Sequence, residues 1–212
     1  MFHLMQPRAR HHGFSLLELM VTIAIFGVLL AVGLPKLSNW VLATKAGSAA
    51  EFYVEGFRYA RQQAVSHNAV SRIVLTANEQ NGQLDWQVDL CFPTPAVPCS
   101  NLSGVWSTPT SIALGDPEGA GGYTSAQRSA ASLPDDSVLR ITPAPANTFS
   151  IYYTSLGWVD TNFAGRTTRV LIEPTVGFAN DIPPSAVVVT LAGIASKCDP
   201  ALAITDSRGC PP

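Results

Sequence analysis

Phe14-Ser15-Leu16-Leu17-Glu18-Leu19-Met20-Val21-Thr22-Ile23-Ala24-Ile25-Phe26-Gly27-Val28-Leu29-Leu30-Ala31-Val32-Gly33-Leu34 is the stretch that decides how this chain is organised. These 21 residues carry one ionisable side chain, Glu18, and about 20 apolar residues suffice to cross a bilayer as helix. Arg8, Arg10, His11 and His12 stand before it, which holds the leader in the cytoplasm and sends the remainder outward. Between Leu19 and Leu34 only Thr22 interrupts the apolar run, so the segment lacks the polar stripe of a buried core helix. A secretory signal cut at Ala31-Val32-Gly33 is disfavoured by the length of the run and by the acid within it. Nor is the acid incidental, because an ionisable side chain in the membrane costs roughly 2.5–3.5 kcal/mol even on the lenient insertion scale.

Outward from this segment the composition changes. The chain's 212 residues allow one membrane segment and one globular domain with a workable core. Beyond Gly33 there remain 14 Asp and Glu against 11 Lys and Arg, once Glu18, Arg8 and Arg10 are set aside. That balance gives no general attraction to nucleic acid or anionic lipid. Only 13% of the residues are charged while Gly and Pro number 16 each, which suits a β-rich domain outside the cytoplasm. Cys91, Cys99, Cys198 and Cys210 show no Cys-x-x-Cys spacing, so disulfides are a simpler reading than a metal site. Four cysteines allow three pairings. Local closure of Cys91 with Cys99 and of Cys198 with Cys210 is expected, since short loops close at lower entropy cost and both intervals contain turn residues.

Past Pro35, which with Gly33 is expected to loosen the helix locally, helical spacing resumes. Ala50, Tyr53, Val54, Phe57, Ala60 and Ala64 share one face, and Glu51, Glu55, Arg58 and Gln62 share another. The pattern predicts a helix from Phe14 to about Val65, roughly 78 Å at 1.5 Å per residue, with its outer half under a sheet. Strands are expected at Val70–Ala77 and Leu84–Leu90 around the turn Asn78-Glu79-Gln80-Asn81-Gly82. Phe92 to Ser137 is rich in Pro, Gly and Ser and reads as loop, with a short strand at Ser111–Leu114. Further strands are expected at Val138–Ile141, Thr148–Thr154, Arg169–Glu173 and Ala186–Leu191. About six antiparallel strands after a long helix make an α+β fold. The expected partition is a basic leader at 1–13, a membrane helix at 14–34, its amphipathic continuation at 35–67 and a β-rich domain at 68–212.

Gly13-Phe14-Ser15-Leu16-Leu17-Glu18-Leu19-Met20 resembles the processing motif of type IV prepilins. The resemblance implies that a prepilin peptidase cuts after Gly13, that Phe14 becomes the N-methylated terminus, and that Glu18 is kept for assembly. Physically, the new amino cation of Phe14 needs a counter-charge inside an apolar filament core, and Glu18 of a neighbouring subunit provides it. Within that family, Arg58-Tyr59-Ala60-Arg61-Gln62-Gln63-Ala64-Val65 and the tail from Cys198 to Cys210 resemble the minor pilins FimT and FimU and the pseudopilin GspH. The implied partners are other pilins, engaged through the amino-terminal helix, and an inner-membrane assembly platform. The implied location is the bacterial inner membrane with the β domain periplasmic, then the filament.

Rival functions leave weaker marks. FimT-like chains include members with a Gly-Arg-x-Arg motif that contacts DNA, but here Gly193-Ile194-Ala195-Ser196-Lys197 keeps only the glycine and one charge. Arg166 and Arg169 are the other candidate phosphate contacts, and with Lys197 they are too few for more than weak DNA binding. His67, near the predicted helix end, Asp135-Asp136 at a turn, and Gly115 to Gly122 without a following Lys-Ser supply no catalytic set. No enzyme activity, cofactor or metal is expected. A GspH-like pseudopilin of type II secretion, and an adhesive or DNA-binding pilus subunit that uses the Phe92–Ser137 region, are the competing readings.

Overall fold

The computed structural model describes residues 15–93, 95–100, 106–113, 115–118 and 125–211. Its packing separates a unit that ends at Val41 from a second unit, Leu42–Pro212.

Helix α1 (Leu16–Ser66) begins at Ser15, whose Oγ accepts a hydrogen bond from the Glu18 amide at 3.2 Å, and continues without a break through Pro35. The helix stops for a local reason. Asn68 adopts φ 47°, the Asn68 amide donates to Val65 O at 3.3 Å and the Ala69 amide to Ala64 O at 3.0 Å. This paired closure satisfies the last carbonyls, and asparagine tolerates the left-handed position that it requires.

Within the second unit, nine strands form two antiparallel sheets among the described residues. Strands β1 (Val70–Ala77), β2 (Leu84–Cys91), β3 (Trp106–Ser107), β4 (Ala126–Arg128) and β6 (Ser150–Tyr153) make the first; the order is β3-β2-β1-β6, and β4 also pairs with β2. Strands β5 (Leu139–Ala144), β7 (Arg169–Pro174), β8 (Ser185–Val189) and β9 (Ala195–Cys198) make the second in that order. The β1–β2 hairpin pairs Ala77 with Leu84 across the expected turn, where Gly82 takes φ 70°. The irregular region departs from expectation: its strands lie at 106–107 and 126–128. Ser111 forms only an isolated bridge with Thr108, because a tight turn folds the two onto each other, and Leu114 lies outside the described residues.

The core lies under the carboxy-terminal half of α1. Phe52, Tyr53, Phe57, Ala60 and Ala64 pack in one buried cluster with Ile73, Leu75, Trp86 and Val88 of the first sheet and Leu139, Val170, Ile172 and Val187 of the second. Burying a side chain of this size stabilises by about 1.5–3 kcal/mol. Side chains also pin helix to sheet: Tyr53 OH donates to Leu84 O at 2.8 Å, Trp86 Nε1 to Phe52 O at 3.1 Å and Ser71 Oγ to Ala60 O at 2.7 Å. Gly56 allows this approach, since a Cβ there would lie 3.0 Å from both Ile73 Cδ1 and the Trp86 ring. Burial holds the Tyr53 and Tyr153 phenols well above the usual range for tyrosine.

Candidate functional site

The site foreseen from sequence begins at Gly13 and Phe14, which lie outside the described residues. The helix beyond them is described. From Leu16 to Leu34 every side chain is exposed, Phe26 at 64%, and the segment is long and apolar enough to cross a membrane. Such a helix leaves no backbone group in need of water except at its ends. Its hydroxyl is also provided for, because Thr22 Oγ1 donates to Leu19 O at 2.9 Å within the helix.

Glu18 is exposed and holds no ion pair among the described residues. Its position carries a second local role that the sequence pattern Ser-x-x-Glu could have signalled: Ser15 caps the helix through the Glu18 amide. An acid in the first turn also faces the positive end of the helix dipole. The carboxylate is therefore set one turn into the helix and exposed, where an incoming cation can reach it.

The remaining candidates are scattered. Cys91 is bonded to Cys99 and Cys198 to Cys210, and no free cysteine remains. Arg169 is opposite Val188, which is opposite Ser196, whereas Lys197 is opposite Val187 and so belongs to the other face of the same sheet. Arg169 Nη2 donates to Pro211 O at 2.8 Å, Lys197 Nζ to Gly47 O at 3.5 Å, and Arg166 buries its Nε without a partner. Arg169 and Lys197 therefore do not share one face of the sheet.

His67 Nδ1 lies 3.5 Å from Glu118 Oε1 beyond the end of α1. Asp135 accepts from the Ser137 amide, which keeps its carboxyl below the usual range and marks it as a turn residue. The Gly193 to Lys197 stretch, which keeps only the glycine of the DNA-contacting motif, forms a tight turn and then strand β9, which like β3 and β4 was not foreseen from sequence.

One ion pair was also invisible in the sequence. Arg72 Nε reaches Asp89 Oδ2 at 2.9 Å, Asp89 is fully buried, and the Arg72 guanidinium sits 4.4 Å from the centre of the Trp106 ring. Cys91, Trp106 and Tyr152 bury themselves beside it, with Phe163 stacked on Tyr152. This cluster fixes the start of the irregular region against the first sheet and presents no catalytic arrangement.

Comparison with known proteins agrees with the amino-terminal reading. Residues 8–34 match the family described as the prokaryotic N-terminal methylation motif. No curated protein matches the chain. Among solved structures, the type IV minor pilin FimU of Pseudomonas aeruginosa (strain PAO1) is similar at 16% identity and a TM-score of 0.39, over 76% of this chain and 98% of that one. The chain thus carries the prokaryotic N-terminal methylation motif at the head of a long apolar helix.

Proposed function

We propose that the chain is a non-enzymatic minor subunit of a type IV pilus, made as a membrane-inserted precursor and drawn into a filament through α1. The observation that carries this reading is Glu18, the sole ionisable side chain on the exposed apolar run Leu16–Leu34, one turn after the Gly13–Phe14 junction. A prepilin peptidase removes residues 1–13 and Phe14 is N-methylated. Residues 14–34 then occupy first the inner membrane and later the filament core, and the β-rich domain lies on the periplasmic side. In the apolar core, Glu18 of one subunit neutralises the Phe14 amino group of its neighbour, which selects one stagger because an unmatched charge there is costly.

Mass spectrometry of the mature protein tests the proposal directly. A mass beginning at Phe14 with one added methyl group is expected; an intact leader, or a terminus after Gly33, would overturn it. Glu18→Ala should leave the subunit in the membrane and reduce its recovery in sheared filaments about tenfold or more, as expected when one partner of a desolvated pair is removed.

A further inference from the structure

The β5-β7-β8-β9 sheet is capped at its two ends by turns of opposite chemistry. The chain passes from β7 to β8 at one end and from β8 to β9 at the other, since β8 runs antiparallel to both neighbours.

The β8–β9 end is apolar and cationic. Leu191 and Ile194 stand on a turn closed by the Gly193 amide donating to Thr190 O at 2.8 Å. A second turn, Thr154–Trp158, joins it through the Val159 amide, which donates to Leu191 O at 3.0 Å, and adds Leu156 and Trp158. These four side chains are 57–71% exposed. Arg58, Arg61 and Val65, from the last turns of α1, complete with Leu156 and Ile194 a groove of about 620 Å³. Arg61 Nε is fixed on Gly157 O at 3.0 Å, and neither arginine forms an ion pair among the described residues. Single exposed apolar side chains need no explanation, but a contiguous group beside a groove marks a contact surface.

The β7–β8 end is apolar and anionic. Val176, on a single 3-10 turn, is 97% exposed, with Glu173 before it and Asp181 after it, both exposed. Asp135 joins the same end, because Thr175 Oγ1 donates to Ser137 O at 2.7 Å; the nearest cation by register is Arg140, opposite Glu173. The turn is held rigidly for an exposed loop. Phe178 packs on the core, Ile182 is buried, and the Asp181 and Ile182 amides both donate to Phe178 O at 3.0 Å.

We propose that the groove of one copy receives the Val176 tip of a second copy of this chain, with Leu156 and Ile194 around the valine and Arg58 and Arg61 facing Glu173 and Asp181. Charge complementarity selects the occupant: the chain itself presents a rigid apolar tip flanked by carboxylates at the opposite end of the sheet that bears the groove. A contact between unlike ends leaves each copy one free tip and one free groove, so it repeats from copy to copy, as a ring where the rotation closes and as a line where it does not. A preformed tip and an anchored Arg61 also lose little freedom on docking. The contact goes beyond the pilus-subunit reading, for it involves the unit Leu42–Pro212 and not the apolar run Leu16–Leu34.

The test uses the full chain purified in detergent micelles, with Val176 replaced by the photocrosslinker p-benzoylphenylalanine. Irradiation should join position 176 of one copy to residues 154–158 or 191–194 of another, distinguished by isotope labelling. Arg58→Glu in the labelled groove copies should lower the yield about tenfold through like-charge juxtaposition. Adding Glu173→Arg to the photoprobe copies should restore it. Crosslinks that map elsewhere, no crosslink between copies, or a yield indifferent to Arg58→Glu would overturn the proposal. Crosslinks to the apolar helix alone would do so while leaving the role of Glu18 intact.

Discussion

Phe26 and Phe57 belong to the same helix and live in opposite surroundings: Phe26 is exposed with its neighbours, and Phe57 is fully buried beneath the sheets. Leu16–Leu34 is apolar on every side and none of the described residues covers it, whereas Ala46–Ala64 is apolar on one face only and that face is covered. A helix that is apolar all round must find lipid or other chains, and an amphipathic one can finish its packing within its own domain. One secondary structure thus serves two solvents, and the residue pattern alone decides which.

Substitution of those two phenylalanines tests the contrast most severely. In detergent-solubilised subunit, Phe57→Ala should lower the unfolding free energy of the β-rich domain by about 3–5 kcal/mol, measured by urea titration, and Phe26→Ala should leave it unchanged. Equal losses from both would erase the distinction.

The second largest effect is expected from the disulfides, which belong only to the covered region. Replacing Cys198 and Cys210 together by Ser should cost about 2–4 kcal/mol for a loop of this length. Denatured, unreduced protein should show no titratable thiol, and four thiols would contradict the paired state.

Glycines give a finer version. Gly56→Ala should destabilise by about 1–3 kcal/mol because its Cβ would press on Ile73 and Trp86. A Cβ at Gly27 meets nothing within 4 Å in the subunit, so Gly27→Ala should be neutral or slightly stabilising there. Should Gly27→Ala then impair filament formation, a neighbouring chain packs against that face.

The smallest effect is expected from pH. Tyr53 and Tyr153 have folded-state pKa values raised by burial, so their contribution to stability is complete below the unfolded value near 10 and declines as pH rises above it. Near-ultraviolet circular dichroism should fade in that range before the helical signal of Leu16–Leu34, and Tyr153→Phe should flatten the loss. Asp135 acts in the opposite sense: hydrogen bonds depress its pKa, so its small contribution exists above the ordinary carboxylate range and disappears as pH falls through the depressed value.

Elements with a strong repeating pattern were legible in the sequence. The 3.6-residue spacing from Ala50 to Ala64 located the covered face, and alternation on either side of Asn78–Gly82 located the hairpin. Two-residue β3 and three-residue β4 are too short to show a period, and β9 lay in a stretch whose motif-like glycine drew the eye to charge instead of pairing. Contacts distant in sequence were invisible for another reason. Buried Gln83 donates to Pro134 O and Leu139 O, and Arg72 meets Trp106, yet nothing local in either residue announces its partner. The motif around Gly13 and Phe14 was legible because it is one contiguous run of residues, while the proposed tip and groove emerge only when the sheet brings distant turns to its two ends.

Each disulfide sits just where the chain leaves a sheet: Cys91 ends β2 and Cys198 ends β9. A protease that nicks once within 92–98 or 199–209 therefore cuts a closed ring and releases no fragment. On a gel the nicked protein should run intact until reductant is added, so a peptide bond within either ring can be lost without losing the subunit.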